Sequence, residues 1–426
     1  MARPIKILIN AQLAPGGKWG GVEQFVMGLV HALGRLTDGE EQYTLITRAE
    51  SPDWLRPFMG PNQTSVTAPP PKSGGAERLK RLLGPLRTPA AALLHAIRRF
   101  LDGSVGEDAL AGFYDSLGGE IIHFPFQEFA PCRMPFIYNP WDLQHLHNPQ
   151  FFSAGETAFR GRVYASGCHA AQAVVAPTCA VKADLERQYG LNPQKIFVIH
   201  CAPPAAVYEA VTEDVLRKVR ERYRLPASFG VFPAQTWPSK NHLRLLEAVR
   251  QARDRNATVL NLVCTGTKNE HWPAINQRIH ELGLEAQVMF LGFVDALELR
   301  ALYRLAQFVV FPSLFEGAGL PVIEALAEGV AVACSDIAPL REYGGDAVLT
   351  FDPRSAESIA ASLLRISIDE GLREQLRAQG KERAKLFTWE RTGKSYRALY
   401  RKVAGVPLSE EDALLLGSDN VTTGSS

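Results

Sequence analysis

The sequence is poor in the features that mark membrane-spanning, secreted or nucleic-acid-binding proteins. Among 426 residues there are six cysteines, with no Cys-x-x-Cys pair, and there is no run of 18 apolar residues. The expected structure therefore has no disulfide framework and no transmembrane helix. Lys and Arg total 46 and Asp and Glu total 45, so the net charge of +1 predicts no nucleic-acid partner. The first ten residues lack the apolar stretch of a signal peptide, and we expect a cytoplasmic protein.

The composition instead supports a globular α/β protein. Hydrophobic residues make up 46% of the chain, which is enough for a full core. Strand patterns alternate with helix patterns in both halves of the chain, and this predicts two parallel, doubly wound sheets. We predict two Rossmann-like domains that face a central cleft, an N-terminal one over residues 1–201 and a C-terminal one over residues 202–386. Residues 406–426 are predicted to be a polar, mobile tail.

The first domain begins with a strand, a glycine-rich loop and an amphipathic helix, the order that opens a doubly wound sheet. The strand is predicted at 5–9, the loop at 16–21 and the helix at 22–36. Further strands are predicted at 43–47, 120–124, 135–138 and 173–176. The stretch 57–75 is rich in proline, glycine and serine and is predicted to be a loop.

The second domain repeats the alternation after a proline-containing hinge at 202–204. Its strands are predicted at 230–233, 258–264, 287–291, 308–311, 330–334 and 348–351. Its helices are predicted at 215–223, 242–253, 274–282 and 296–305.

One segment, residues 311–329, combines a strand end, a glycine loop and a helix start. It reads FPSLFEGAGLPVIEALAEG, with Pro321 where the helix should begin. Glycines let a ligand approach the backbone, and the free amides of a helix N-terminus favour an anion. Glu316 and Glu324 lie eight residues apart and can both face one ligand. Their carboxylates need hydroxyl groups or cations to bind, and a sugar or a ribose supplies hydroxyl groups. The alternative is an ordinary helix start with a glutamate favoured by the helix dipole.

This segment resembles the glutamate–seven residues–glutamate signature of retaining GT-B glycosyltransferases, specifically glycosyltransferase family 4. The resemblance covers most of residues 5–403, with further similar stretches at 288–294, 336–345, 351–353 and 387–390. It implies a GT-B fold and transfer of a sugar from a nucleotide-sugar donor with retention of configuration. It also implies that the donor binds mainly to the second domain, the acceptor to the first, and that a helix over 387–405 crosses back to the first domain.

The resemblance further implies a set of donor-binding residues. Glu324 matches the glutamate that holds the ribose hydroxyls, Glu316 would lie by the donor sugar and the reacting face, and Lys240 matches the lysine that neutralises the diphosphate. Gln235 stands where the family often has an arginine. The other donor-side residues are Gly21, Gly317, Ala318, Gly319 and Leu320, near the sugar and diphosphate, and Phe293 and Val294, near the base. The alternatives are a solvated surface charge for Lys240 and core packing for Phe293 and Val294.

In the first domain the resemblance involves the glycine loop and residues 138–149. Gly20 in the loop would line the acceptor side. Residues 138–149 read YNPWDLQHLHNP and resemble the family's His-Asp-Leu-Gln-His region, but Trp141 replaces its first histidine. Trp141 can stack on a sugar face but cannot exchange a proton at its indole near neutral pH. Glu316, Asp142 and Trp141 are therefore the catalytic candidates, and His145 is a second acceptor-side candidate.

No metal or other cofactor is expected. No Asp-x-Asp motif lies near a strand end, and His145 and His147 lack an identifiable third ligand for zinc. GT-B enzymes typically bind the leaving diphosphate through cations and helix amides instead.

A basic stretch at 72–99 contains seven Lys or Arg residues and one acid, Glu77. Two interpretations stay open. The stretch docks on an anionic membrane surface that carries lipid-linked acceptors, as a peripheral protein on the inner face of the cell membrane, or it is a helix pair with a solvated basic face.

The donor prediction depends on two segments, PAQTWPSKNH at 233–242 and the Asp-Leu-Gln-His residues. Both resemble mannosyltransferases that use GDP-mannose in bacterial surface-polysaccharide assembly, such as that of lipopolysaccharide. We predict mannosyl transfer to a glycan or lipid-linked acceptor. The alternatives are a UDP-sugar donor, an epimerase or sugar phosphorylase on the same scaffold, and a non-catalytic sugar-binding partner, which Trp141 alone supports.

Overall fold

The computed structural model describes residues 4–16, 20–69, 110–203, 210–256 and 260–417. The strands of these residues form two parallel sheets, one in each half of the chain. The first sheet contains β1 (Ile5–Asn10), β2 (Glu41–Thr47), β3 (Gln63–Thr67), β4 (Ile121–Phe124), β5 (Phe136–Tyr138), β6 (Ala173–Ala176) and β7 (Ile196–Val198). The second contains β8 (Gly230–Pro233), β9 (Leu262–Thr265), β10 (Val288–Phe290), β11 (Phe308–Phe311), β12 (Ala331–Ser335) and β13 (Val348–Phe351).

Helices accompany both sheets. Those of the first half are α1 (Gly21–Arg35), α2 (Gln144–His147), α3 (Ala154–Ala170) and α4 (Cys179–Tyr189). Those of the second half are α5 (Glu213–Tyr223), α6 (His242–Asn256), α7 (Trp272–Leu282), α8 (Ala296–Leu305), α9 (Leu320–Ala327), α10 (Ala338–Gly344), α11 (Ala356–Ile368) and α12 (Glu370–Ala384). Two more follow, α13 (Trp389–Val403) and α14 (Glu410–Gly417). Because helices cover both faces, central strands such as β11 (FVVF) are apolar and buried throughout.

Each sheet reverses its strand order at one place. The order is β3-β2-β1-β4-β5-β6-β7 in the first sheet and β10-β9-β8-β11-β12-β13 in the second. The reversals lie between β1 and β4 and between β8 and β11. In open parallel sheets, ligands bind outside the carboxyl ends of the strands at such a switch point. The loops after these four strands are therefore where a site should form.

The helix α13 packs against α1 of the first domain. Gly28 of α1 lies directly under the indole of Trp389, because a Cβ on Gly28 would stand 2.0 Å from the ring atom Cζ2. Arg401 of α13 pairs with Glu41 of β2, with its Nε 2.6 Å from the carboxylate. The chain thus contributes to the first domain twice, before and after the second sheet.

Three elements differ from the sequence predictions. β3 lies inside the stretch 57–75 predicted to be a loop, because residues 63–67 pair along the edge strand β2. β7 has no counterpart among the predicted strands and pairs with β6 at the opposite edge. α14 corrects the prediction of a mobile tail over its eight residues, since its Asp412 accepts a 2.9 Å hydrogen bond from Arg401 of α13.

Some predictions fall outside the described residues. These are the basic stretch 72–99, the end of the loop predicted at 57–75 (residues 70–75), residues 17–19 of the glycine loop, Pro204 of the hinge, the start of the strand predicted at 258–264 and residues 418–426 of the predicted tail. In the part of the chain that is described, no helix has both the length and the apolar character needed to cross a bilayer.

Candidate active site

A cavity of about 1230 Å³ lies between the two domains, at the carboxyl ends of their central strands. The second domain contributes the loops after β8 and β11 and the start of α9. The first domain contributes the glycine loop before α1, the loop after β5 and one side of α3. The cavity is therefore where the two switch points meet.

The loop between β11 and α9 is shaped for an anion. Gly319 has a φ of +74°, a left-handed conformation that suits glycine, and Leu320 and Pro321 then begin α9. The first amides of a helix have no carbonyl partner inside it. Because Gly319, Leu320 and Pro321 all line the cavity, this helix start favours a negatively charged ligand there.

Hydrogen bonds join the loop after β8 to the loops after β11 and β13. Asn241 donates from its side-chain nitrogen to the carbonyl of Pro312 at 3.0 Å and to that of Pro353 at 2.8 Å. The backbone amide of Leu314 donates to the carbonyl of Ser239 at 2.8 Å. These bonds hold Lys240 in a fixed position relative to the glutamates.

Lys240 and Glu316 form an ion pair in the cavity wall. Lys240 Nζ lies 2.5 Å from Glu316 Oε1 and 5.3 Å from the centre of the Phe311 ring. The side chains are only 22% and 11% exposed, so the pair is shielded from bulk water. An anionic ligand at the start of α9 would compete with Glu316 for the ammonium group.

Glu324 lies on the cavity side of α9. The hydroxyl of Tyr303 donates a hydrogen bond to Glu324 Oε2 at 3.2 Å. Burial raises the pKa of Glu324 to about 7, the Tyr303 bond opposes this change, and the nearby charge of Glu328 adds to it. Glu328 is in turn held by Arg300, at 2.5 Å.

Asp142 lies where the two walls of the cavity meet. Its Oδ1 accepts a 3.0 Å hydrogen bond from the amide of Gln144. Burial raises the pKa of Asp142, the Gln144 bond opposes this change, and the charge of Glu316 adds to it. The positive charges of Arg160 and Lys240 lower the pKa of Asp142, so this carboxyl group is within electrostatic reach of cations on both walls.

Trp141 is held in an unusual backbone conformation. Its φ is +70°, a left-handed value that is uncommon for a bulky residue. The indole donates to the carbonyl of Pro125 at 2.9 Å and packs edge-on against Phe25 at 4.8 Å between ring centres. Only 7% of the residue is exposed, so little of the indole is available to stack on a sugar. Its catalytic role stays a prediction.

The two domains touch directly at the site. Thr178 donates from its hydroxyl to the carbonyl of Gly317 at 3.0 Å. A Cβ on Gly317 would lie 2.5 Å from the carbonyl oxygen of Trp141, and one on Gly21 would lie 3.0 Å from Leu320 Cδ1. Glycines at 21 and 317 therefore let the backbones of the two domains come together.

The structure brings the residues predicted from sequence onto the cavity wall, with one exception. Those on the wall are Gly20, Gly21, Trp141, Asp142, Gln235, Lys240, Phe293, Val294, Glu316, Gly317, Ala318, Gly319, Leu320 and Glu324. Phe293 is 59% exposed, so its side chain is available to a ligand, whereas Val294 is buried. Gln235 accepts a hydrogen bond from the Trp237 indole at 2.8 Å.

His145 corrects the prediction of an acceptor-side position. It is 1% exposed, and its ring packs edge-on against Tyr164 at 4.9 Å between centres. Burial lowers the pKa of His145 to about 4. The side chain therefore lies behind the wall, and Gln144 lines the cavity in its place.

A group of wall residues on and before α3 is absent from the residues predicted from sequence. They are Phe151, Phe152, Glu156, Phe159, Arg160 and Tyr164. The spacing of Glu156, Arg160 and Tyr164, four residues apart in each step, places them on one helix face and was the signal available.

Two chemical features of the described residues bear on cofactors. No group of three or more His, Cys, Asp or Glu among them is arranged to hold a metal ion. The six cysteines are free thiols. The expectation of a metal-free site stays a prediction.

Structural comparison identifies the class of fold. The Anabaena protein HepE, solved in complex with UDP and glucose, matches with a TM-score of 0.67 at 18% identity, over 93% of this chain and 100% of that one. The prediction of a GT-B fold, with two Rossmann-like domains around a cleft, is confirmed.

Sequence comparison adds relatives with named activities. Residues 228–383 match the family model described as glycosyl transferases group 1. O-antigen chain mannosyltransferase B of Escherichia coli is 32% identical over 173 residues, which cover 40% of this chain and 45% of that protein. D-inositol 3-phosphate glycosyltransferase of Jonesia denitrificans is 25% identical over 417 residues, 91% of this chain and 92% of that protein. The chain thus spans less than half the length of the Escherichia coli relative.

Proposed function

We propose that this protein is a retaining glycosyltransferase of family 4. It would transfer mannose from GDP-mannose to a hydroxyl of a glycan or lipid-linked glycan in surface-polysaccharide assembly. The observation that carries the proposal is the convergence of Lys240, Glu316 and Glu324 at the switch point of the second sheet, inside a cavity that both domains line. Similarity to the Escherichia coli mannosyltransferase supports mannose. The complex of HepE with UDP and glucose makes a UDP-sugar the main alternative.

The donor would bind along the second-domain side of the cavity, which we call the donor wall: Lys240, Glu316, Gly319, Leu320 and Glu324. The diphosphate would take the position at the start of α9, where backbone amides and Lys240 neutralise it. The ionised Glu324 would accept hydrogen bonds from the ribose hydroxyls. Glu316, displaced from Lys240, would remain beside the sugar.

The reaction exchanges one carbon–oxygen bond for another. The bond from the anomeric carbon to the diphosphate breaks, and the acceptor oxygen bonds to the same carbon on the same face, which retains its configuration. The proton of the acceptor hydroxyl passes to the leaving diphosphate. Lys240 stabilises the charge that develops on that leaving group. Asp142, between the two walls, would orient the acceptor, and contact between the domains would exclude water.

Calorimetric titration tests the donor site. We expect GDP-mannose to bind, with UDP-glucose and UDP-N-acetylglucosamine much weaker, in buffer that contains EDTA. Glu324→Ala should abolish binding, whereas Glu357→Ala, an exposed glutamate of α11, should leave it unchanged. Selective binding of a UDP-sugar would keep the reaction and replace the donor. Equal binding by the Glu324→Ala protein would contradict the assignment of the site.

We also propose that residues 72–99 bring the protein to an anionic membrane surface, where lipid-linked acceptors lie. The support is their charge, seven basic residues against one acid. Sedimentation with vesicles of phosphatidylglycerol and phosphatidylethanolamine measures this. Binding that is equal with and without the anionic lipid would contradict it.

A further inference from the structure

The first-domain side of the cavity contains an aromatic and charged surface with no assigned ligand. We call it the acceptor wall: Phe151, Phe152, Glu156, Phe159, Arg160 and Tyr164. It lines the same cavity as the donor wall. Asp142 lies between them and responds electrostatically to Arg160 on one side and Lys240 on the other.

Arg160 is already paired with other residues of the acceptor wall. Its Nη2 and Nε donate to Glu156 Oε1 at 2.9 and 3.2 Å, and its Nη1 donates to the Tyr164 hydroxyl at 3.2 Å. The guanidinium carbon lies 4.6 Å from the centre of the Phe152 ring. A phosphate would have to displace Glu156 to gain the paired hydrogen bonds that guanidinium groups offer to anions.

The charges around the acceptor wall also disfavour an anion. Among the described cavity residues of the first domain there is one cation, Arg160, and there are four carboxylates, those of Glu23, Glu128, Asp142 and Glu156. On the second-domain side, Lys240 and Arg300 are each paired with a glutamate. A negatively charged acceptor on the first-domain side would add to the carboxylates already there, whereas on the donor wall the start of α9 and Lys240 favour a diphosphate.

The aromatic residues supply what an uncharged sugar ring needs. Phe159 is 38% exposed, and Phe151 and Phe152, which line the same cavity, are half-buried. An aromatic face packs against the apolar C–H face of a hexose, and the carboxylate of Glu156 and the N–H groups of Arg160 pair with its hydroxyls. Apolar surface with a few placed polar groups is the usual composition of a small-molecule site.

We propose that the acceptor wall binds an uncharged hexose residue of a glycan, and that it does not bind a phosphorylated polyol. This rests on the proposed function, which supplies the donor. It also separates the two named activities among the relatives, since one name specifies an O-antigen chain and the other an inositol 3-phosphate.

Saturation-transfer NMR with two probes tests the proposal. α-Mannobiose and D-inositol 3-phosphate are each added to the full-length protein, with and without saturating GDP. We expect signal transfer to mannobiose, unchanged between 50 and 300 mM salt because the ligand is uncharged. Salt-sensitive binding of inositol 3-phosphate in the presence of GDP, with or without binding of mannobiose, would overturn the proposal, as would binding of neither probe.

Variants locate the bound sugar. Phe159→Ala and Arg160→Ala should weaken mannobiose binding about tenfold or more, and Arg162→Ala, an exposed arginine of the same helix, should not. Melting temperatures establish that each variant is folded. Full binding by both Phe159→Ala and Arg160→Ala proteins would place the sugar elsewhere and overturn the proposal.

Nucleotide binding by the same variants separates the two proposals. GDP and UDP affinities, measured by calorimetry, should be unchanged in the Phe159→Ala protein. If the wild-type protein binds mannobiose but neither GDP nor UDP, the glycosyltransferase proposal is contradicted and the proposal of a sugar site remains. If it binds a nucleotide but not mannobiose, the proposal for the acceptor wall is contradicted and the glycosyltransferase proposal remains.

Discussion

The donor wall and the acceptor wall of the cavity are built differently. The donor wall comes from the loops after β8 and β11, which are joined through Asn241 and through the Leu314–Ser239 hydrogen bond, and from the start of α9. Its ionic residues lie in short, recognisable segments. The acceptor wall is one side of α3 together with the turn before it, and its residues have ordinary helical spacing. The match to the family model follows the same division, since it covers residues 228–383.

The difference shows where chemistry restricts sequence. A diphosphate needs a cation, free amides and a close backbone, and only a few residue types at fixed spacing provide them. An uncharged sugar ring needs apolar surface and some hydrogen-bonding groups, which many side chains on a helix can supply. The donor wall can thus be predicted from the sequence, whereas the acceptor wall can be identified only when the position of α3 is known.

The largest expected effect comes from removing the cation of the donor wall. Lys240→Ala should lower kcat by about 10²–10³-fold, the usual loss when one charge-stabilising group is removed. Acceptor binding to the other wall should stay intact, which sharpens the contrast between the walls. Steady-state assays of nucleoside diphosphate release measure this, with Lys218→Ala, an exposed lysine of α5 outside the cavity, as the control. A Lys240→Ala enzyme with normal kcat would contradict the proposal that the donor wall stabilises the leaving group through this cation.

The next effect comes from the junction between the walls. Gly317→Ala places a methyl group 2.5 Å from the Trp141 carbonyl oxygen, so the domains must separate or the loop must move. Misplacement on the scale of an ångström costs about 10²-fold in rate. We expect that loss in kcat/KM, with a smaller change in nucleotide affinity. Gly371→Ala, at a helical position with ordinary contact distances, is the matched control. Similar losses in both variants would show that the junction has no special importance.

The smallest effect is on pH dependence and concerns the donor wall alone. With a pKa of about 7, Glu324 changes from mostly ionised at pH 8 to mostly protonated at pH 6. A ribose that needs the carboxylate should bind about tenfold more weakly at pH 6. Glu324→Gln should bind the donor weakly and without this pH dependence. Calorimetry at both pH values measures it, and a wild-type affinity that is flat over this range would contradict it.

The same group gives a stability signature of known sign. The folded-state pKa of Glu324 lies above its ordinary value of 4.5, so folding favours the protonated form. The free energy of unfolding should therefore fall as pH rises from about 4.5 to 7, relative to that of Glu324→Gln. Above pH 7 the variant should melt at the higher temperature. This is the cost of keeping a carboxylate in the cavity wall for a ligand.

Much of the fold could be predicted because parallel, buried strands have continuous apolar sequences. β6, β8, β11 and β13 agree with their predicted bounds. β3 could not be predicted, because its sequence, QTSVT, is polar and becomes a strand only by pairing along β2. The order of strands in each sheet also depends on pairing between distant segments, which periodicity does not contain.

Site residues that lie close together along the chain could be predicted, whereas contacts between distant segments could not. Glu316 and Glu324 share one segment, and chain geometry alone brings them together. His145 was predicted on the wall from its place in a motif, but the way α2 lies under Tyr164 decides where that ring points. The contact of Gly317 with Trp141 joins residues of different domains, and no local pattern specifies it.

The packing of Trp389 against Gly28 has a consequence for how the protein is made. Every described residue of the cavity wall precedes residue 330, yet α1 is covered only when α13 has been synthesised. At roughly 5–20 residues per second, ribosomes need about 10–40 seconds to translate residues 202–388. During that interval the nascent first domain presents an uncovered apolar helix, the kind of surface that chaperones bind. A chain that stops before residue 389 would contain every described residue of the cavity wall and still lack the helix that completes its first domain.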